Sequence, residues 1–157
     1  MTVPSFALDS SCMVAAVCSW HERHGAALAD IQRRLDRGER LAVAAHALVE
    51  TYAVLTRLPA PHRLAPADAW TLVETNFARP SRVVTLSAAA HVRLLGRLAA
   101  AGTAGGRTYD ALIAECATKA KVNALLTFNP RHFEPAPRGV VVVVPSDESS
   151  SRPEALR

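Results

Sequence analysis

Aromatic side chains are scarce in this chain, at 5% of 157 residues, with two Trp, two Tyr and four Phe spread thinly along it. So few rings leave little support for an extended base-stacking platform of the single-strand-binding type, and turn recognition of any polyanion toward phosphates and shape. Lysine is scarcer still: the only two are Lys119 and Lys121. Cysteine occurs three times, Cys12 and Cys18 on one expected helix and Cys116 on another, all in apolar surroundings. That spacing supports neither a disulfide framework nor a zinc site, and core packing is the reading that remains. No run approaches the ~18 apolar residues of a membrane span, and no basic leader with a long apolar core precedes Phe6-Ala7-Leu8, so a cytoplasmic protein is expected.

What is present is a hydrophobic half, a basic surplus and a set of isolated acids. Half the residues are hydrophobic, which excludes a disordered chain, and the length suits one domain. The formal net charge of +4 is carried mainly by Arg, in groups such as Arg33-Arg34, Arg37, Arg40, Arg93 and Arg97. A basic body favours a polyanionic partner, although Arg on a helix face is ordinarily only solvated.

Strand and helix patterns alternate. Strands are expected at Ser5–Leu8, Leu41–Ala44, Arg82–Leu86, Ala124–Thr127 and Val140–Val144. Helices are expected at Cys12–Ser19, Gly25–Arg37, His46–Thr56, Pro66–Phe77, Ala88–Ala101 and from Thr108. The Val run near the end has the character of a strand covered on both faces. Together these predict a three-layer α/β/α sandwich on a mainly parallel sheet over residues 1–145, with a disordered tail over residues 146–157.

Three carboxylates stand where elements meet turns. Asp9 follows the first strand and precedes Ser10 and Ser11, two good N-cap residues. Glu50 is set among apolar neighbours in an amphipathic helix, where a carboxylate needs water, a partner or a metal. Asp110 opens a helix behind the loop Gly102–Gly106, with Thr108 as the expected cap. Each acid alone reads as a cap or first-turn residue. As a set at the carboxyl ends of parallel strands they would repel and raise one another's pKa, and a hard divalent cation is the simplest neutraliser.

The segments Ala7-Leu8-Asp9-Ser10-Ser11, Val49-Glu50-Thr51-Tyr52-Ala53-Val54-Leu55-Thr56-Arg57-Leu58-Pro59, Tyr109-Asp110-Ala111-Leu112-Ile113-Ala114 and Leu125-Leu126-Thr127-Phe128-Asn129-Pro130-Arg131-His132-Phe133 together resemble the PIN-domain ribonucleases, and among them the VapC toxins of prokaryotic toxin–antitoxin pairs. The resemblance runs from Ser5 to about Pro145. It implies an endoribonuclease dependent on Mg²⁺ or Mn²⁺, in which Asp9 and Asp110 hold metal, Glu50 binds it through water or orients the nucleophile, and Asn129 completes the catalytic set. It further implies a homodimer and a small VapB-type antitoxin whose C-terminal segment covers the site; Leu28, Leu35, Leu48 and Leu55 could line its groove, and core burial accounts for them equally well. Asn129 stands where family members often carry an acid; its neutral carbonyl can bind metal through water or orient a phosphate.

Arg107, in the Gly-rich loop, is the best single candidate for a substrate contact. That loop lacks the ending of a nucleotide-binding P-loop. Glu115, about 140° around the helix from Asp110, could reach the rim of the site, with a solvated or ion-paired residue the favoured reading; His132 could contact substrate phosphate or end a turn, with the turn favoured. His21 and His24 read as surface polar residues. Two rivals remain open. One is a catalytically weak module that binds RNA or sequesters an antitoxin. The other is a phosphotransfer domain using Asp9 as acceptor, which the lack of a second nearby Asp and of a late Lys disfavours.

Overall fold

The computed structural model describes residues 2–147. The elements are β1 (Ser5–Leu8), α1 (Ser10–Val17), α2 (His24–Asp36), β2 (Arg40–Ala44), α3 (Ala45–Arg57), α4 (Pro66–Val73), β3 (Arg82–Val84), α5 (Ala88–Ala101), α6 (Arg107–Ala120), β4 (Ala124–Leu126) and β5 (Val141–Val143). The five strands form one sheet in the order β3-β2-β1-β4-β5, and every pairing is parallel. The chain builds outward from β1 to β3 and then crosses back to lay β4 against the free side of β1. The strand order therefore reverses between β1 and β4, the place in an open parallel sheet where loops diverge and ligands bind.

The three layers follow from side-chain alternation in the central strands. Ala7, Ala42 and Ala44 lie with Ile113, Cys116 and Ala117 of α6 on one face, while Phe6 on the other lies beneath the Arg34 guanidinium of α2 at 5.6 Å. Phe6, Leu8, Leu125 and Leu126 are fully buried. Truncating one of them to Ala would cost about 2–5 kcal/mol. A second, smaller cluster of Cys18, Leu55, Ala69 and Val73 fastens α3 and α4 to the end of α1.

Several local expectations are corrected. Strand pairing stops at Val84 and Val143, both on sheet edges, and Val141 is 65% exposed, so the Val run is an edge strand and not one covered on both faces. The helix from Pro66 is regular only to Val73; Glu74–Ala78 forms a π-helical turn that buries Phe77. Leu55 belongs to the core, whereas Leu28 and Leu35 are indeed on the surface. The expected disordered tail lies, from residue 148 onward, outside the described residues. Among the described residues no helix is long and apolar enough to cross a membrane, and all three cysteines are buried and free.

Candidate active site

Asp9 leaves β1 at the point of strand-order reversal. Its backbone N–H continues the ladder to the Leu126 carbonyl at 3.1 Å, which sets residues 9 and 127 side by side. The Asp9 side chain, rather than Ser10 or Ser11, is the N-cap of α1: its Oδ1 accepts from the Cys12 N–H at 3.0 Å and from Ser11 Oγ at 2.6 Å. Its Oδ2 accepts from Thr127 Oγ1 at 2.5 Å. Thr127 Oγ1 in turn accepts the Asn129 N–H, and Ser11 Oγ accepts the Phe128 N–H. Asp9 is only 2% exposed. Burial pushes its carboxyl above the usual carboxylate range, against the pull of the Ser11, Thr127 and Cys12 donors, and the nearby Asp110 charge adds to the rise.

Asp110 lies in the first turn of α6, but the helix begins at Arg107 with Gly106 as its cap residue, so Thr108 does not cap it. Asp110 Oδ2 is 2.9 Å from His132 Nδ1. Its pKa is also raised, first by burial and further by Glu50, while His132 and Arg107 oppose the shift. Glu50, on α3, accepts at Oε1 from Ser10 Oγ at 2.9 Å. Its Oε2 lies 3.3 Å from His46 Nε2, yet both atoms are buried without a hydrogen bond. The His46 ring stacks on Tyr109, with centroids 4.8 Å apart and planes at 18°.

The expected residues thus gather at one end of the sheet, with differing degrees of engagement. Asp9, Asp110 and Glu50 form the acidic centre. Asn129 is exposed beside it and lines a cleft with Ser10 and Ser11. The Arg107 guanidinium donates to the Arg131 carbonyl at 3.2 Å and is near enough to act on Asp110. His132 does more than end a turn, since it holds Asp110. Glu115 is ion-paired with Arg97 at 3.0 Å on the surface.

Thr127, His46 and Tyr109 were not singled out by sequence pattern, and Ser11 was read only as a cap. A hydroxyl one residue beyond a buried strand, as in Leu126-Thr127, was the available signal.

The oxygen donors are those a hard divalent cation prefers. Asp110 raises the pKa of Asp9, and Glu50 that of Asp110, so a cation among them would relieve both; Glu50 Oε2, buried without a hydrogen bond beside His46, has acceptor capacity to spare. Among the described residues no three His, Cys, Asp or Glu side chains already form one metal cluster, consistent with each carboxylate being turned onto its own protein donor. By donor chemistry the set fits such an ion. The same geometry removes the phosphotransfer reading. Asp9 has both oxygens engaged and almost no exposure, and Lys119 is spent on the Thr85 carbonyl at 2.6 Å.

The PIN domain model matches residues 6–137. The chain is 43% identical over 126 residues to Ribonuclease VapC40 of Mycobacterium tuberculosis, covering 80% of this chain and 87% of that protein. In structure it is similar to M. tuberculosis VapC20, a Sarcin-Ricin loop cleaving toxin (TM-score 0.65, 19% identity, 87% of this chain and 99% of that one). It is also similar to VapBC2 from Rickettsia felis, solved bound to a DNA fragment from its promoter (TM-score 0.61, 15% identity, 90% and 98%).

Proposed function

The chain belongs to the PIN-domain family, with the VapC ribonucleases as its relatives, and from that premise we propose that it is a divalent-metal-dependent endoribonuclease toxin held in check by a VapB-type antitoxin. The observation that carries this reading is the convergence of Asp9, Glu50 and Asp110 at the strand-order reversal, each set by a partner from another element or its own cap.

Asp9 and Asp110 would hold the ion, Mg²⁺ or Mn²⁺ by donor hardness. When bound, the ion supplies positive charge for the phosphorane-like transition state and lowers the pKa of a water. Glu50 accepts the proton of the attacking water, oriented by Ser10 through Oε1. Water oxygen bonds to phosphorus, the bond from phosphorus to the 3′ oxygen breaks, and that oxygen takes up a proton from solvent, leaving a 5′-phosphate and a 3′-hydroxyl. Arg107 and the Asn129 amide, both exposed at the rim, would bind nonbridging phosphate oxygens. Exposed apolar side chains on α5, Val92 at 71% and Leu95 at 57%, offer a face for a second copy of the chain.

The test is incubation of purified, antitoxin-free protein with total cellular RNA in Mg²⁺ or Mn²⁺, with chelator and Asp110→Asn controls and sequenced cleavage ends. Discrete metal-dependent cuts lost in the variant support the reading. An intact RNA population with folded protein shifts it to the RNA-binding or antitoxin-sequestering module.

A further inference from the structure

Although rings are few in the sequence, two of them, Tyr109 and Phe128, lie on either side of the acidic centre. On the His46 side of Glu50 stands Tyr109, stacked on His46 by one face and still 50% exposed. On the Ser10 side lies a cleft of about 400 Å³, whose wall includes His21, Arg23, Phe128 and Asn129, with Glu22 as the one acid on it. The Arg23 guanidinium rests over the Phe128 ring at 5.2 Å, and the Arg23 N–H donates to His21 Nδ1 at 3.0 Å, which steadies the turn that presents it. Glu50 joins the two features directly, through Ser10 on one side and His46 on the other.

A strand whose phosphate reached the carboxylates would therefore have a half-exposed, pre-stacked ring on one side and a cleft carrying the Arg23 guanidinium on the other. Stacked rings already fixed in place pay little ordering cost on binding a base. A guanidinium braced on an aromatic face is held ready for a phosphate.

Resting on the ribonuclease reading, we infer that Tyr109 is a nucleobase-stacking residue that takes an unpaired base next to the scissile phosphate, and that Arg23 binds the backbone phosphate of the strand as it enters the cleft. A paired base has both faces covered by its neighbours and could not use Tyr109, so this arrangement selects RNA that is locally single-stranded and unstacked.

The experiment is fluorescence anisotropy with a labelled single-stranded RNA of mixed sequence, roughly 12 nucleotides long to span a site of this type. The Asp110→Asn protein serves as the cleavage-silent background, with inorganic polyphosphate and the matching RNA duplex as competitors. Tyr109→Ala is expected to weaken single-strand binding by about 5- to 100-fold, leave competition by polyphosphate unchanged, and leave the salt dependence unchanged. Tyr109→Phe should bind as the parent does. Arg23→Ala should weaken RNA and polyphosphate alike and flatten the dependence of log affinity on log salt by about 0.7, one single-strand phosphate contact, with Arg23→Lys recovering part of it.

Equal RNA affinity in Tyr109→Ala and parent, or equal loss for RNA and polyphosphate, overturns the stacking role. An unchanged salt slope in Arg23→Ala overturns the phosphate role. Cleavage in the native background is read separately: loss of binding in these variants with no cleavage by the parent sinks the nuclease reading and keeps the subsite, while metal-dependent cleavage with unaltered binding does the reverse.

Discussion

Thr127 Oγ1 donates a 2.5 Å hydrogen bond to Asp9 Oδ2 across the β1–β4 pairing, so the most buried acid of the site is fixed by a hydroxyl 118 residues away. Replacing it with the near-isosteric Val leaves a buried carboxyl oxygen without its partner and opens no cavity. Thr127→Val should lose about 1–3 kcal/mol in urea unfolding. Because the hydroxyl lowers the Asp9 pKa, the variant should also need higher pH for half-maximal metal binding. Calorimetric titration at several pH values checks this, and an unmoved profile would show that Thr127 does not tune Asp9.

Asp9 is at once cap and candidate ligand, and two substitutions separate these duties. Asn caps a helix about as well as Asp, whereas Ala does not. Both Asp9→Asn and Asp9→Ala are expected to abolish cleavage, but Asp9→Ala should be less stable than Asp9→Asn by about 1 kcal/mol. Equal unfolding midpoints would mean that the bonds from Cys12 and Ser11 contribute nothing to α1.

Raised carboxyl pKa values fix the sign of the metal's effect on stability. In the metal-free fold, Asp9 and Asp110 hold their protons more firmly than in the unfolded chain. Their contribution to stability is thus complete below the ordinary Asp value of about 3.9 and declines as pH rises through their folded values. A divalent ion favours the ionised forms and reverses this trend. The gain in melting temperature on adding Mg²⁺ to chelator-treated protein should grow with pH over that window; a gain independent of pH would place the ion elsewhere.

The cysteines offer a probe of the closed core. Burial pushes Cys116 to about 11 and raises Cys12 and Cys18 as well, so thiolate is scarce and access poor. A thiol reagent at neutral pH should label none of the three quickly in native protein and all three in denaturant. Rapid native labelling would show that the core opens locally.

How much of this was legible from sequence depends on the range of the interaction. Asp9, Glu50 and Asp110 announced themselves locally, each a lone acid where an apolar element meets a turn, and the parallel layered fold followed from the alternation of elements. The Thr127 clamp, the His132 contact to Asp110 and the His46–Tyr109 stack are created by strand order and helix docking. Thr127 looked like an ordinary strand-end residue because nothing in Leu125-Leu126-Thr127 says which strand will lie beside it. Edge positions were hidden for the same reason: the run from Val140 to Val144 has the composition of a central strand, and only the order of the sheet puts Val141 in solvent.

That sheet order also governs when the molecule can be finished during synthesis. All three acids leave the ribosome well before Ala124, but until β4 arrives β1 has one unpaired side, and the Thr127 clamp for Asp9 does not yet exist. A chain cut short between α6 and β4 would carry the whole acidic set on a sheet whose middle strand has become an open, apolar margin, prone to recruit foreign strands. Assembly of the candidate centre is thereby tied to the arrival of β4.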